Sequence, residues 1–455
     1  MKRKRKSEFA RFAKEDMKIL LMLFLVGFLF FLYVMMRGKS MVYIQISAVI
    51  VVLSLVTFYL TSKINADKYL IIWTSVLLHC GSMLQAMSCT PEELHYELLK
   101  FAIAFIIAIA AGVFFRYCSF VLGTDLGMYA MMFVHFLIFA MLLVFGSTVE
   151  GYQSARVNLS IAGFTIQPLE IAKITYVFVM VSLLCKEDCK DKKVFGYLPR
   201  EWASVCFTGL TAFFMILCSE LGSLLVIGLA GMTLYLVYAR KRKIIKYLAL
   251  LGGCMASFLG LIVIWFHDKS SILEKIYLRF MYVATPEMDA AGAGYQYLQM
   301  KKAIAIGGIF GPDSTRYITR LTNEANDLVF CKLIQVCGIA IGILMIGAFI
   351  LLFREGNKVA ALAKDTYYGG LAHGFSYIII YEAIIHISYS VGIFPITGIP
   401  LYFMSKGFAS MTMGLIMVAF FIVISTGTQE RSSYDEKTLG DLKELWNARR
   451  RKSFR

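Results

Sequence analysis

Polar residues that could do chemistry lie beside or inside long apolar segments of this chain. Glu170 and Lys173 are three residues apart, and Glu382 and His386 are four apart, so each pair would share one face of a helix. The first pair could be a helix-terminal carboxylate with a lysine that reaches the membrane surface, or part of a functional site. The second could be a buried structural pair or a proton relay.

Two more carboxylates lie where loops enter helices. Asp327 stands at the start of an apolar segment, and Glu220 lies in a short turn between two others. Each carboxylate could cap its helix or act in a site. Further along, residues 392–401 contain two prolines, two glycines and a threonine within an apolar stretch. Irregular backbone at membrane depth must pack within protein or line a cavity, so we expect this segment to do one of the two.

The segment 267–329 mixes apolar runs with basic residues. This composition is typical of a surface that lies at lipid headgroups, and a compact packed loop is the alternative. Loops of this length are commonly functional. Two adjacent glycines, Gly307 and Gly308, are compatible with a phosphate cradle.

The composition identifies the elements that must position these residues. The chain has 455 residues, of which 59% are hydrophobic and only 17% charged, with a mean hydropathy of +0.69. A soluble domain is roughly half apolar and about a quarter charged, so these values indicate a membrane protein and exclude a disordered, collagen-like or small disulfide-stabilised chain. The net charge of +16 predicts cytoplasmic loops that face anionic lipid, not a nucleic-acid partner. No Cys/His cluster has metal-ligand spacing, so no metal site is predicted and the ten cysteines read as small apolar fillers.

About twelve segments are long and apolar enough to cross a bilayer, which predicts an all-α polytopic membrane protein. They are residues 18–36, 41–62, 69–88, 99–118, 126–146, 169–185, 202–218, 221–239, 245–266, 330–353, 370–392 and 408–426. Basic clusters occur at residues 2–6, 240–243 and 449–452, which predicts that both termini are cytoplasmic. The predicted divisions are a basic cytoplasmic tail (1–17), N-terminal helices (18–98), a core (99–426) with a long extracytoplasmic loop (267–329), and a charged cytoplasmic tail (427–455).

Five motifs in this order resemble those of the SEDS family, the FtsW, RodA and SpoVE proteins. They are Arg156 with Gln167-Pro168-Leu169-Glu170 and Lys173; Glu220 to Ser223; Gly294-Tyr295-Gln296 through Gly311; Asp327 to Phe330; and Pro395 to Phe403 followed by Ser405. The resemblance covers roughly residues 100 to 426. The chain departs from the family pattern at Val157, Leu169, Gln335, Val336, His386, Tyr402 and Phe408.

The resemblance implies a ten-helix core, so two helices are added at the N-terminus. It implies an inverting glycosyltransferase that polymerises lipid II into peptidoglycan strands at the outer face of the bacterial cytoplasmic membrane. Asp327 matches the aspartate that the family is thought to need, and a carboxylate there could take the proton of the acceptor hydroxyl. The candidate substrate-binding residues are Arg156, Gln167, Glu170, Lys173, Arg279, Tyr295, Gln296, Lys301, Lys332, Thr397 and Ser405.

The resemblance also implies partners: a class B penicillin-binding protein and other membrane proteins of the division or elongation machinery. No organic cofactor is expected, and a divalent cation stays open. Three other functions stay open as well: a flippase for the lipid-linked precursor, an inactive scaffold that keeps the fold, and a polymerase or ligase for another lipid-linked polysaccharide. The motifs do not choose among division, elongation and sporulation.

Overall fold

The computed structural model describes residues 2–36, 40–64, 66–88, 91–149, 152–161, 164–185, 193–239, 264–269, 271–312, 321 and 326–426. The helices that position the site are α1 (Lys2–Met36), α2 (Ser40–Lys63), α3 (Tyr69–Ser88), α4 (Pro91–Leu122), α5 (Asp125–Phe145), α6 (Pro168–Leu184), α7 (Arg200–Leu217), α8 (Leu221–Tyr238), α9 (Ser271–Ala284), α10 (Ala293–Gly307), α11 (Val329–Cys337), α12 (Ile339–Leu362), α13 (Thr366–Ser390) and α14 (Phe408–Thr426).

Among these described residues, eight helices are long and apolar enough to cross a membrane. The all-α polytopic fold is therefore confirmed. The predicted span 245–266 lies almost wholly outside the described residues, as do residues 427–455. The total of twelve spans, the domain divisions and the cytoplasmic position of both termini stay predictions.

One predicted span, 330–353, is wrong because the helix breaks at Gly338. This residue has φ +89°, a left-handed conformation that separates the short helix α11 from α12. The first N–H groups of α12 pair with the carbonyls of Gly308 and Ile309. The spanning helix is α12, Ile339–Leu362.

The N-terminal helix α1 contacts the same break. The hydroxyl of Tyr33 lies 2.7 Å from the carbonyl oxygen of Cys337 and 2.8 Å from that of Phe310. Cys337 is the last residue of α11, where a helix leaves carbonyls without an intrahelical partner. Helix α1 thus contributes a hydrogen-bond donor to the helix break.

The loop before α6 carries three short antiparallel strands, β1 (Ser147–Val149), β2 (Tyr152–Ile161) and β3 (Phe164–Ile166). Two shorter strands, β4 (Lys193–Val194) and β5 (Leu198–Pro199), pair before α7. Pro168 occupies the first turn of α6, where its missing N–H costs no helical hydrogen bond. The loop therefore ends on a defined helix start, two residues before Glu170.

Helices α6 and α13 form the centre of the bundle. Helix α6 packs against α5, α7, α8 and α13, and α13 packs against α8 and α12 as well. Nearly every side chain of α6 from Pro168 onward is buried. A polar residue on either helix therefore faces protein and needs an internal partner.

Candidate functional site

A buried cluster of charges joins the two central helices. The ammonium nitrogen of Lys173 lies 2.7 Å from Oε1 of Glu170 and 2.6 Å from Oε2 of Glu382. The side chains of Lys173 and Glu382 are 0% exposed. The interpretation of Lys173 as a lysine reaching the membrane surface is therefore wrong, whereas Glu170 and Lys173 do share one helix face.

Tyr402 completes this cluster. Its hydroxyl donates to Oε2 of Glu170 at 2.9 Å, and its ring centroid lies 5.4 Å from the Lys173 ammonium group. Both oxygens of Glu170 thus accept a hydrogen bond from a buried donor. A buried charge without such partners would be strongly destabilising, so the four side chains depend on one another.

Glu382 and His386 share a face of α13 but do not pair with each other. His386 Nδ1 lies 2.9 Å from the carbonyl oxygen of Ile399 and 2.7 Å from the hydroxyl of Tyr389. The interpretation of Glu382 and His386 as one pair is therefore wrong. Glu382 binds the lysine of α6, and His386 holds the irregular segment that follows α13.

The irregular segment 392–401 packs largely within the protein, one of the two expected arrangements, although Ile393 is exposed. The N–H of Ile396 donates to the hydroxyl of Tyr297 at 3.1 Å, which ties it to α10. A β-carbon at Gly222 would stand 2.5 Å from Ile399 Cγ2 and 3.0 Å from Thr397 Cβ. The start of α8 therefore touches residues 397–399, and only glycine leaves room for this contact.

Ser405 links the same segment to the residues before α11. Its Oγ accepts from the N–H of Leu401 at 2.8 Å and donates to the carbonyl of Asn326 at 3.0 Å. Asn326 immediately precedes Asp327. The position of the Asp327 backbone is thus fixed by a residue of the last motif.

Asp327 itself is buried, with 8% of its surface exposed, and faces Gly398. A β-carbon at Gly398, which has φ +72°, would stand 3.7 Å from the nearer carboxylate oxygen. The N-cap residue of α11 is Leu328, so Asp327 does not occupy the N-cap position.

Glu220 relates the buried cluster to Asp327. It stands at the N-cap position of α8, but its side chain makes no capping bond and instead accepts from the Ser223 hydroxyl at 3.2 Å. The pKa of Glu220 is raised to about 7, chiefly because burial disfavours its charged form. The Lys173 ammonium group lowers this pKa, and the charges of Glu170 and Asp327 raise it. Glu220 therefore interacts electrostatically with both groups of residues.

The remaining predicted residues are distributed around this centre. Arg156 lies in β2, and its side chain is outside the described part. Gln167 is half-buried at the N-cap of α6, and Lys332 is buried in α11. Thr397 is half-buried beside Gly222, and Gln296 is half-buried in α10.

Three candidates face outward from the loop helices. Arg279 on α9 and Tyr295 on α10 are exposed. Lys301 on α10 is exposed too and lies 4.0 Å from Glu287. These side chains can meet a ligand at the surface, whereas Lys173 meets only protein.

Two features of the site had no sequence signal. Tyr402 occupies a position where the resemblance predicts proline, and its bond to Glu170 joins residues 232 apart. Glu382 is the second carboxylate of Lys173, which no local spacing indicates. Across the residues that the structure describes, no group of three or more His, Cys, Asp or Glu side chains is placed to hold a metal ion.

Comparison with known proteins gives one consistent result. A family model described as cell cycle protein, FtsW/RodA/SpoVE, matches residues 66–431. The chain is 26% identical over 379 residues to the stage V sporulation protein E of Bacillus subtilis, which covers 80% of this chain and 98% of that protein. It is 25% identical over 303 residues to a "Probable peptidoglycan glycosyltransferase FtsW" of Trichlorobacter lovleyi, covering 65% and 75%.

Solved structures show the same fold. One described as "Structural coordination of polymerization and crosslinking by a peptidoglycan synthase complex" matches with a TM-score of 0.61 and 19% identity, covering 79% of this chain and 97% of that one. The rod shape determining protein RodA of Thermus thermophilus matches with a TM-score of 0.55 and 17% identity, covering 79% and 96%. Helices α1 and α2 precede residue 66, where the match to the family model begins. Because the family model spans most of the chain, this protein is a member of the FtsW/RodA/SpoVE family of bacterial multi-pass membrane proteins.

Proposed function

We propose that this protein is a peptidoglycan glycosyltransferase that polymerises lipid II at the outer face of the cytoplasmic membrane. Relatives named as peptidoglycan glycosyltransferases support this assignment. The observation that carries it here is that Asp327 is buried beside Gly398, while Ser405 of the same segment holds the carbonyl of the preceding residue, Asn326. Such contacts fix a carboxylate where a reaction needs a positioned base.

In the proposed reaction, Asp327 takes the proton of the acceptor sugar hydroxyl. The hydroxyl oxygen then forms a bond to the anomeric carbon of the donor sugar. The bond from that carbon to the lipid diphosphate breaks, and the diphosphate leaves with the electron pair. Attack opposite the leaving group inverts the anomeric carbon.

Cations stabilise the charge that develops on the diphosphate. The exposed Arg279 and Lys301 are candidates for this role, because their side chains reach the surface. Lys173 has a different role in this proposal. Its ammonium group is neutralised by two carboxylates, so it fixes Glu170 and Glu382 and does not contact the diphosphate.

Asp327→Asn tests the catalytic role. The amide keeps the size of the side chain but cannot take a proton, so we expect no glycan product from purified lipid II. The variant should insert and unfold like the wild type. Glu274→Gln, an exposed carboxylate on α9, is the matched control and should retain full activity. Equal product from Asp327→Asn and wild type would remove Asp327 from this role, and no product from the wild type would favour a non-catalytic scaffold.

We further propose that the partner is a transpeptidase of the class B penicillin-binding protein type. The solved relative in a complex for polymerization and crosslinking supports a crosslinking partner. Co-purification of the full chain from its native membrane, followed by mass spectrometry, tests this proposal. Recovery of the chain without any transpeptidase would contradict it.

A further inference from the structure

Two adjoining cavities lie between the added helix α2 and the core helices α3, α4 and α14. Their volumes are about 520 Å³ and 540 Å³, including space open to the surroundings. Ile50, Leu78 and Phe101 line both cavities. The two cavities therefore meet at these residues, and we call them together the α2–α4 groove.

The packing of the helices explains why this groove exists. Helix α2 packs mainly against α1 and α3, whereas α4 packs mainly against α5. Helices α2 and α4 both line the groove but are not packed against each other along it. One wall of the groove is therefore added to the family core, since α2 ends before the family match begins.

The groove is polar at one end and apolar along the rest. Gln85, Glu97, Lys100 and Lys406 line the polar end, which is the outer end in the predicted orientation. Toward the other end the walls are mainly apolar, with residues such as Ile71, Phe105 and Ile422. The hydroxyls there are already bonded: Ser54 to Ser75, and Thr74 to the carbonyl of Leu70. The deep part thus offers no polar group that needs a ligand.

The groove is long enough to take an acyl chain that spans one leaflet. Along α3 it runs from Gln85 to Ile71, 14 residues, or about 21 Å at 1.5 Å per residue. Half of a typical hydrocarbon core is roughly 15 Å. An empty apolar groove would lose van der Waals contacts along its whole wall, and water cannot replace them. A hydrocarbon chain from the surrounding bilayer can restore these van der Waals contacts.

The charges at the polar end select the head of that lipid. The Lys100 ammonium nitrogen lies 2.9 Å from Oε1 of Glu97, and Lys406 lines the same end of the groove. Two ammonium groups and one carboxylate complement a head that carries both a phosphate and an ammonium group. We propose that the α2–α4 groove binds a zwitterionic glycerophospholipid of the outer leaflet, with one chain in the groove and its phosphate beside Lys100 and Lys406.

This lipid would contact the segment that supports the candidate active site. Ser405 lines the groove and also donates to the carbonyl of Asn326, the residue before Asp327. The lipid site and the proposed base thus lie on two sides of the segment 403–407. The added helices α1 and α2 would thereby tie the bilayer to the reaction centre.

Retention of lipid by the purified full chain tests the site. The protein is placed in nanodiscs of phosphatidylethanolamine, transferred to detergent and analysed by native mass spectrometry. We expect the wild type to retain one phosphatidylethanolamine. Ile50→Trp fills the point shared by both cavities and should lower this retention by about tenfold.

Val52→Trp is the matched control, since Val52 lies on the same helix, lines neither cavity and is 55% exposed. It should retain lipid like the wild type, and the unfolding midpoints of both variants report whether they fold. Equal retention by Ile50→Trp and wild type would overturn the proposal. Preferential retention of phosphatidylglycerol, or recovery of a polyprenyl diphosphate from native membranes in place of a phospholipid, would also overturn it. The measurement does not depend on glycan synthesis, so it stands apart from the proposed function.

Discussion

Lys173 and Glu382 form an ion pair across the centre of the bundle, with the Lys173 ammonium nitrogen 2.6 Å from Oε2 of Glu382. The two residues are 209 positions apart in the sequence. The pair joins α6, which follows strands β1–β3, to α13, which precedes the irregular segment 391–407. Glu170 and Tyr402 extend it toward that segment. The relative position of two family motifs is thus fixed by buried charge.

Lys173→Met should destabilise the protein. The substitution removes the ammonium group and leaves two carboxylates buried without their shared cation, a change that costs about 3–5 kcal/mol. The measurement is the thermal unfolding midpoint of purified protein in one detergent. Lys193→Met, at an exposed lysine of β4, is the control and should leave the midpoint unchanged. Matching midpoints for Lys173→Met and wild type would show that the cluster contributes nothing to stability.

Gly222→Ala should impair catalysis. A β-carbon there would overlap Ile399 Cγ2 at 2.5 Å and push residues 397–399 away from α8. Because Gly398 faces Asp327, we expect glycan synthesis to fall by about tenfold or more. Gly228→Ala is the control on the same helix, since nothing lies within 4 Å of its β-carbon. Unchanged synthesis in Gly222→Ala would mean that the contact between α8 and this segment does not position Asp327.

Glu220→Gln should change how stability depends on pH. The pKa of Glu220 rises from 4.5 to about 7 on folding, so the folded protein binds more protons between these values. Its contribution to stability is present below pH 4.5 and is lost as pH rises through about 7. The unfolding midpoint of wild type should therefore fall relative to Glu220→Gln between about pH 5 and about pH 8. A constant difference between the two proteins over this range would contradict the assignment.

Hydropathy predicted the helices well because apolar length is a local property. It did not predict the break at Gly338, since apolar residues continue on both sides of that glycine. The break depends on a left-handed φ and on carbonyls of residues 308 and 309, which are distant in sequence. Periodicity places residues on a helix face but says nothing about what packs against that face.

In the candidate site, too, local spacing was predictable and tertiary contacts were not. The three-residue spacing of Glu170 and Lys173 predicted that they share a helix face. In the structure the Lys173 ammonium nitrogen lies 2.7 Å from Oε1 of Glu170. The same reasoning placed Glu382 with His386, but each side chain bonds to a different element. Partners drawn from other helices, such as Tyr402 for Glu170, follow from tertiary packing alone.

The contact of Tyr33 with the carbonyls of Cys337 and Phe310 bears on how the protein can be shortened. Trimming the chain to its family-matched region would remove the hydroxyl that contacts these two carbonyl oxygens beside the helix break. Helix α1 therefore supports the structure around Gly338, and we expect a cut before residue 66 to disturb it.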